Sequence, residues 1–181
     1  MFHPGAQALI DYWTARAPGG RAPARETIDP GELHHVLSQV FMVGRTARGR
    51  YPLRLAGDLL VGLHGEDLHG RSLLTLWSER DRPRLEAALE EIRRTPAPLV
   101  VMAEALTDGP SLSMEVVFAP LAVSAAGVER YLGLYQPLAL PSRLQGRPVR
   151  ELAVRALRRT ASEDLAVRPL RLAAFQGRRI A

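Results

Sequence analysis

The chain has 181 residues, of which 46% are hydrophobic and 24% charged, and its formal net charge is +5. This is enough apolar material for one domain with an appendage, and the complete lack of cysteine excludes disulfides, thiolate metal sites and cysteine nucleophiles together. No uncharged apolar run reaches bilayer length, and no basic start leads into an apolar stretch with a cleavage site, so the expected location is the cytoplasm.

The basic side chains are all arginine and are unevenly placed. Residues 1–140 hold 14 arginines against 16 acids, a net of −2, whereas residues 141–181 hold 10 against 3, a net of +7. The pI near 10.6 therefore reflects the C-terminal segment, and the rest of the chain lacks the charge of a nucleic-acid-coating domain.

Residues 5–17 place Leu9, Ile10, Trp13 and Ala17 at helical spacing, which predicts an amphipathic opening helix. A loop rich in proline and glycine follows, and Asp29-Pro30 restarts the chain in a short turn. "VLSQVFMVGR" and "RYPLRLAG" read as two antiparallel strands joined at "TARG", with Tyr51, Leu53 and Leu55 on one face. From Gly57 to Trp77, short leucine groups broken by Gly62, Gly65 and Gly70 exclude a long helix and suit one-turn helices. Asp81 as a cap, Pro83 in the first turn and Leu85, Ala88, Leu89 and Ile92 at i, i+3, i+4 and i+7 predict a helix ending at Thr95-Pro96. Three strands come next, "PLVVMAEAL", "SLSMEVVFAPLAV" and "ERYLGLYQPLAL", with turns at "TDGP" and "SAAGV". Strands joined this closely are antiparallel, and the helical middle must pack on a sheet face, so the fold class is α+β.

In this order the chain resembles a PAS domain, and its motifs are similar to those of single-PAS proteins common in alphaproteobacteria. The residues that carry the resemblance are Tyr12-Trp13, "IDP" at 28–30, "YPLRLAG" at 51–57, "LHGEDLHGRSLLTLW" at 63–77, "DRPRL" at 81–85 and "YLGLYQPL" at 131–138, spanning about residues 8–140. That family more often has threonine where Asp58 stands. The resemblance implies a five-stranded antiparallel sheet with small helices on one face, often enclosing a pocket, and an N-terminal helix that packs on the other face or on a second subunit. It also implies a non-enzymatic bacterial sensor or adaptor in signalling or regulation. The division expected is an N-terminal helix and linker at 1–24, a PAS-like domain at 25–140 and an Arg-rich extension at 141–181.

A ligand pocket would be walled by Leu53, Leu55, Leu112, Met114, Val116 and Phe118 from the strands and by Leu63 and Trp77 from the helical side. The plainer reading of the same stripe is a filled core. The cofactor is open: the helix over 82–94 has no histidine for haem, and covalent flavin chemistry has no thiol. His3, His34, His35, His64 and His69 form no metal-binding pair at helical spacing and read as structural or solvent-facing. Arg54, Glu104 and Glu115 read as surface, and no catalytic constellation is organised.

The sharper motif is "PVRELAVRALRR", read as a basic amphipathic helix with Val149, Leu152, Ala153, Ala156 and Leu157 on one side and Arg150, Arg155, Arg158 and Arg159 on the other. Its apolar side either packs on the domain or its dimer mate, or docks on a partner. Partner-binding residues are therefore expected to be Leu9, Trp13 and these four arginines. The partners expected are a second copy and a regulatory protein, with a small apolar ligand. Nucleic acid or an anionic membrane at the tail, and a small α+β enzyme with a hydrophobic pocket, are the competing functions.

Overall fold

Six strands, all antiparallel, form one sheet in the computed structural model, which describes residues 1–124 and 127–160. In chain order they are β1 (Val40–Gly44), β2 (Leu53–Ala56), β3 (Leu99–Leu106), β4 (Leu112–Ser124), β5 (Gly127–Pro137) and β6 (Glu151–Arg159), and across the sheet they run β2-β1-β5-β4-β3-β6. Helix α1 spans Pro4–Ala15, α2 Asp58–His64 and α3 Arg82–Arg94. Among the described residues no helix is long and apolar enough to cross a membrane.

The fold class stands as α+β, with one strand more than expected. The added strand is β6, where the sequence predicted a helix. It pairs along β3 from Leu106↔Glu151 to Leu99↔Arg159, with a bulge that sets Val154 opposite Ala103 and Ala156 opposite Met102. Arg155 is the extra residue. Its insertion shifts the phase of the side chains, so Leu152 and Val154 pack inward before the bulge and Leu157 after it. Three- and five-residue spacings replaced strict alternation and imitated a helical period. Residues 141–160 thus belong to the domain, because Leu144, Val149, Leu152 and Val154 enter its core. The division expected at 140 does not fall there. The remaining basic segment, 161–181, and Ala125-Ala126 of the expected "SAAGV" turn lie outside the described residues.

Elsewhere the elements follow local chemistry. Helix α1 starts with Pro4 in its first turn and with the His3 side chain accepting from Gly5 N–H. Asp29 accepts from Gly31 N–H and opens a 3-10 helix over Pro30–Gln39, so Val36 to Gln39, expected in the first strand, precede it. Gly65 ends α2 in the left-handed conformation at φ 69°. Helix α3 turns Leu85, Leu89 and Ile92 inward. Its N-cap position is Asp81, yet that carboxylate does not cap the helix.

The sheet separates two apolar layers. Its inner face packs against α2, the 3-10 turn at Leu73–Leu76 and α3, and its outer face packs against α1 and the 3-10 helix at Pro30–Gln39. Helices therefore lie on both faces, α2 and α3 on the inner side and α1 on the outer.

Candidate functional site

The inner layer gathers seven of the eight residues expected to wall a pocket. Leu53, Leu63, Trp77, Leu112, Met114, Val116 and Phe118 are all buried in one cluster. Leu55 is the exception, because a second bulge places Val43 opposite Leu53 but Met42 opposite Leu55, with Arg54 as the extra residue. The slip turns Leu55 toward the other face, where it is 50% exposed.

The centre of this layer is filled by aromatic rings. Phe41 lies over Gly133, whose missing side chain makes the room: a Cβ there would come within 2.0 Å of Phe41 Cζ. Phe118 and Tyr135 meet Phe41 edge-on, with centroids 5.5 and 5.4 Å away. Grooves open instead at the surface. One of about 270 Å³ runs between α2 and residues 141–147, with Asp58, Leu59, Leu63, Leu144 and Arg147 on its walls. A neighbour of about 440 Å³ is lined by His3, Gln39, Leu59, Gln136, Leu138 and Leu140.

Among the described residues, three polar atoms in the inner layer find no hydrogen-bond partner: His64 Nε2, Trp77 Nε1 and Tyr135 Oη. Leaving such a group unpaired costs about 1–3 kcal/mol. Strand alternation places Tyr131 and Tyr135 on the same face of β5, but their fates differ: Tyr131 donates to Leu89 O at 3.0 Å, whereas Tyr135 finds no acceptor among the described residues. Burial pushes both phenols up, so both remain protonated. His64, expected at a structural or solvent-facing position, is buried with its ring 6.1 Å from that of Tyr135. Burial pushes its pKa down, against the opposing pull of the Val149 backbone and of Glu66. The sequence singled out Trp77 but missed Tyr135, whose signal was a second tyrosine at i+4 on an inward strand face.

Two carboxylates tie this layer to its surroundings. Burial alone would raise the Glu90 carboxyl, but it accepts from Arg45 Nε at 2.5 Å, Tyr51 Oη at 2.6 Å and Arg93 Nε at 3.0 Å, which together hold it at about 2. Burial likewise raises Asp81, yet hydrogen bonds from Ser78 Oγ at 2.6 Å and Val154 N–H at 2.9 Å, with Arg80 and Arg84 nearby, bring it below the usual carboxylate value. Asp81 therefore clamps the edge of β6, helped by Ser78 N–H donating to Leu152 O at 2.9 Å.

The expected partner residues are distributed differently. Leu9 and Trp13 are consumed by the chain's own outer face, where Trp13 Nε1 donates to Pro120 O at 2.7 Å. Arg150 precedes β6 and pairs with Asp108 at 2.8 Å, and Arg159 pairs with Glu91. Arg155 and Arg158 sit exposed on β6. Glu115, expected at the surface, is buried beneath the start of α1 and accepts from His3 N–H at 2.9 Å.

A family model described as PAS domain matches residues 1–136. The chain belongs to the PAS domain family. Similar solved structures include the dark state of the blue-light photoreceptor Aureochrome1 LOV, at 16% identity and TM-score 0.47, covering 59% of this chain and 80% of that one. The Rhodobacter sphaeroides LOV protein is 12% identical at TM-score 0.46, covering 65% of this chain and 74% of its own. No curated protein matches the chain. Family membership makes the chain a sensory signalling module of PAS type.

Proposed function

We propose that this PAS-family chain is a cytoplasmic sensory adaptor that works by binding and contact and performs no chemistry on a substrate. The observation that carries this reading is the group of unpartnered polar atoms on His64, Trp77 and Tyr135 within an otherwise apolar layer. A small guest that satisfies one of them recovers part of the roughly 1–3 kcal/mol each costs. The Phe41, Phe118 and Tyr135 rings fill the centre, so the guest is small and sits beside the polar atoms.

A change at this layer has a short route to the surface. Trp77 bridges to Leu152 of β6, and the next residue, Ser78, bonds to the same strand and to Asp81. β6 in turn presents Arg155 and Arg158 to solvent. The output in this reading is contact with a second copy and with a regulatory protein, made by those arginines and by the exposed Leu138 and Leu140. Native mass spectrometry with an absorption spectrum on the purified chain tests it. The expected result is a dimer retaining a small mass, with no haem or flavin band. A bare monomer, or turnover of a substrate, would overturn it.

A further inference from the structure

The outer face of the sheet carries a charged notch that the inner layer does not share. Arg54 of β2, exposed, and Arg130 of β5, half-buried, lean onto β1 from its two sides. Arg54 lies over Gly44, where a Cβ would come within 3.0 Å of its Nε, so the missing side chain admits the guanidinium. Arg130 is the cross-strand partner of Gly44 on β5, and its Nη1 lies 3.8 Å from Met42 Sδ. Met42 and Gly44 stand two residues apart on one strand face, about 7 Å from each other. Both arginines line a single cavity of about 160 Å³, the room of about five waters. Their charge is not consumed by the chain: among the described residues neither forms an ion pair, and Glu129 on the same wall meets neither. Arg45, also on the wall, is taken by Glu90 at 2.5 Å. The notch thus keeps two forked cations against one acid, with the Thr46 hydroxyl as a neutral donor.

We infer that this notch binds a phosphate group, as the free ion or as the end of a small phosphate monoester, with Arg54 and Arg130 donating to separate oxygens. A single guanidinium fork fills both oxygens of a carboxylate and leaves the second arginine idle. A phosphate brings a third oxygen and a second charge for the other fork. Charge-assisted bonds of about 2.8 Å on each side of such a group span the separation between the two positions on β1. The site lies on the face opposite His64, Trp77 and Tyr135 and does not depend on the guest proposed there.

Titration of the full chain with sodium phosphate at about pH 8, where the ion is a dianion, tests this at constant ionic strength through the arginine Nε–H resonances. The expected result is a saturable movement of the Arg54 and Arg130 resonances. Arg54→Lys and Arg130→Lys keep the charge but lose the fork, so each should weaken phosphate by about tenfold or more, the loss of one charge-assisted bond. Arg143→Ala, at an exposed arginine elsewhere, should leave the affinity unchanged. Sodium acetate at the same concentrations should not saturate either resonance. Methyl phosphate separates the sources: binding as tight as phosphate or tighter assigns a monoester, and weaker binding assigns the free ion. No saturation with either phosphate, an equal movement with acetate, or unchanged affinity in both lysine variants would overturn the inference.

Discussion

The two tryptophans, one on each face of the same sheet, are buried to nearly the same degree and are treated differently. On the outer face Trp13 fills the layer under α1 and its indole N–H reaches Pro120 O, while on the inner face Trp77 is equally enclosed and its N–H reaches no acceptor among the described residues. The pattern extends to their surroundings. Outside, the buried Glu115 carboxylate accepts from the start of α1; inside, His64 and Tyr135 have polar atoms left over. The outer side is not fully paired, because Gln39 Oε1 at the end of its 3-10 helix is also buried without a partner among the described residues, but the inner layer holds three such atoms, and buried unpaired groups call for an explanation. The outer face anchors the helix, and in the function proposed above the inner face is where a signal enters.

Substitutions on the two faces should differ in kind. The largest loss is expected from Trp13→Ala, which empties an aromatic site and removes a satisfied bond, at about 3–5 kcal/mol by denaturant unfolding. Lowering the pH should come next. The Glu90 carboxyl is depressed from 4.5 to about 2, so its contribution is complete above pH 4.5 and is lost as pH falls through 2. At about 1.36 kcal/mol for each pH unit, this amounts to about 3 kcal/mol, and Glu90→Gln should flatten the acid limb. Met114→Trp adds bulk to a filled layer and should cost about 1–3 kcal/mol, with any retained guest expelled. Arg155→Ala at the exposed bulge should leave stability within about 0.5 kcal/mol while weakening self-association measured by sedimentation. A large stability loss there would mean that the β6 edge is structural and no contact surface.

The legible part of the fold was the part whose side chains keep one period. Helices α1 and α3 carry their apolar residues at helical spacing, and β3, β4 and β5 alternate over long enough stretches to be recognised. What was lost lay at the two sheet edges, and for one physical reason. β2 and β6 each carry a bulge with an arginine as the extra residue, Arg54 in one and Arg155 in the other. Such a bulge blunts an edge against further pairing but breaks its alternation, so Leu55 was assigned to the wrong face and β6 was read as a helix. The candidate site was half legible: apolar positions such as Met114 and Phe118 follow from alternation. The missing polar partners of His64, Trp77 and Tyr135 depend on which groups meet across elements distant in sequence, and no local pattern encodes that.

Hydrogen exchange on the full chain, before and after unfolding, removal of small molecules and refolding, tests the division between the faces most directly. If the inner layer holds a guest, amides of α2 and of the turn at Leu73–Leu76 should lose protection after stripping, while those of α1 and its contacts on β4 keep theirs. Equal protection before and after, or a uniform loss across both faces, would contradict the account.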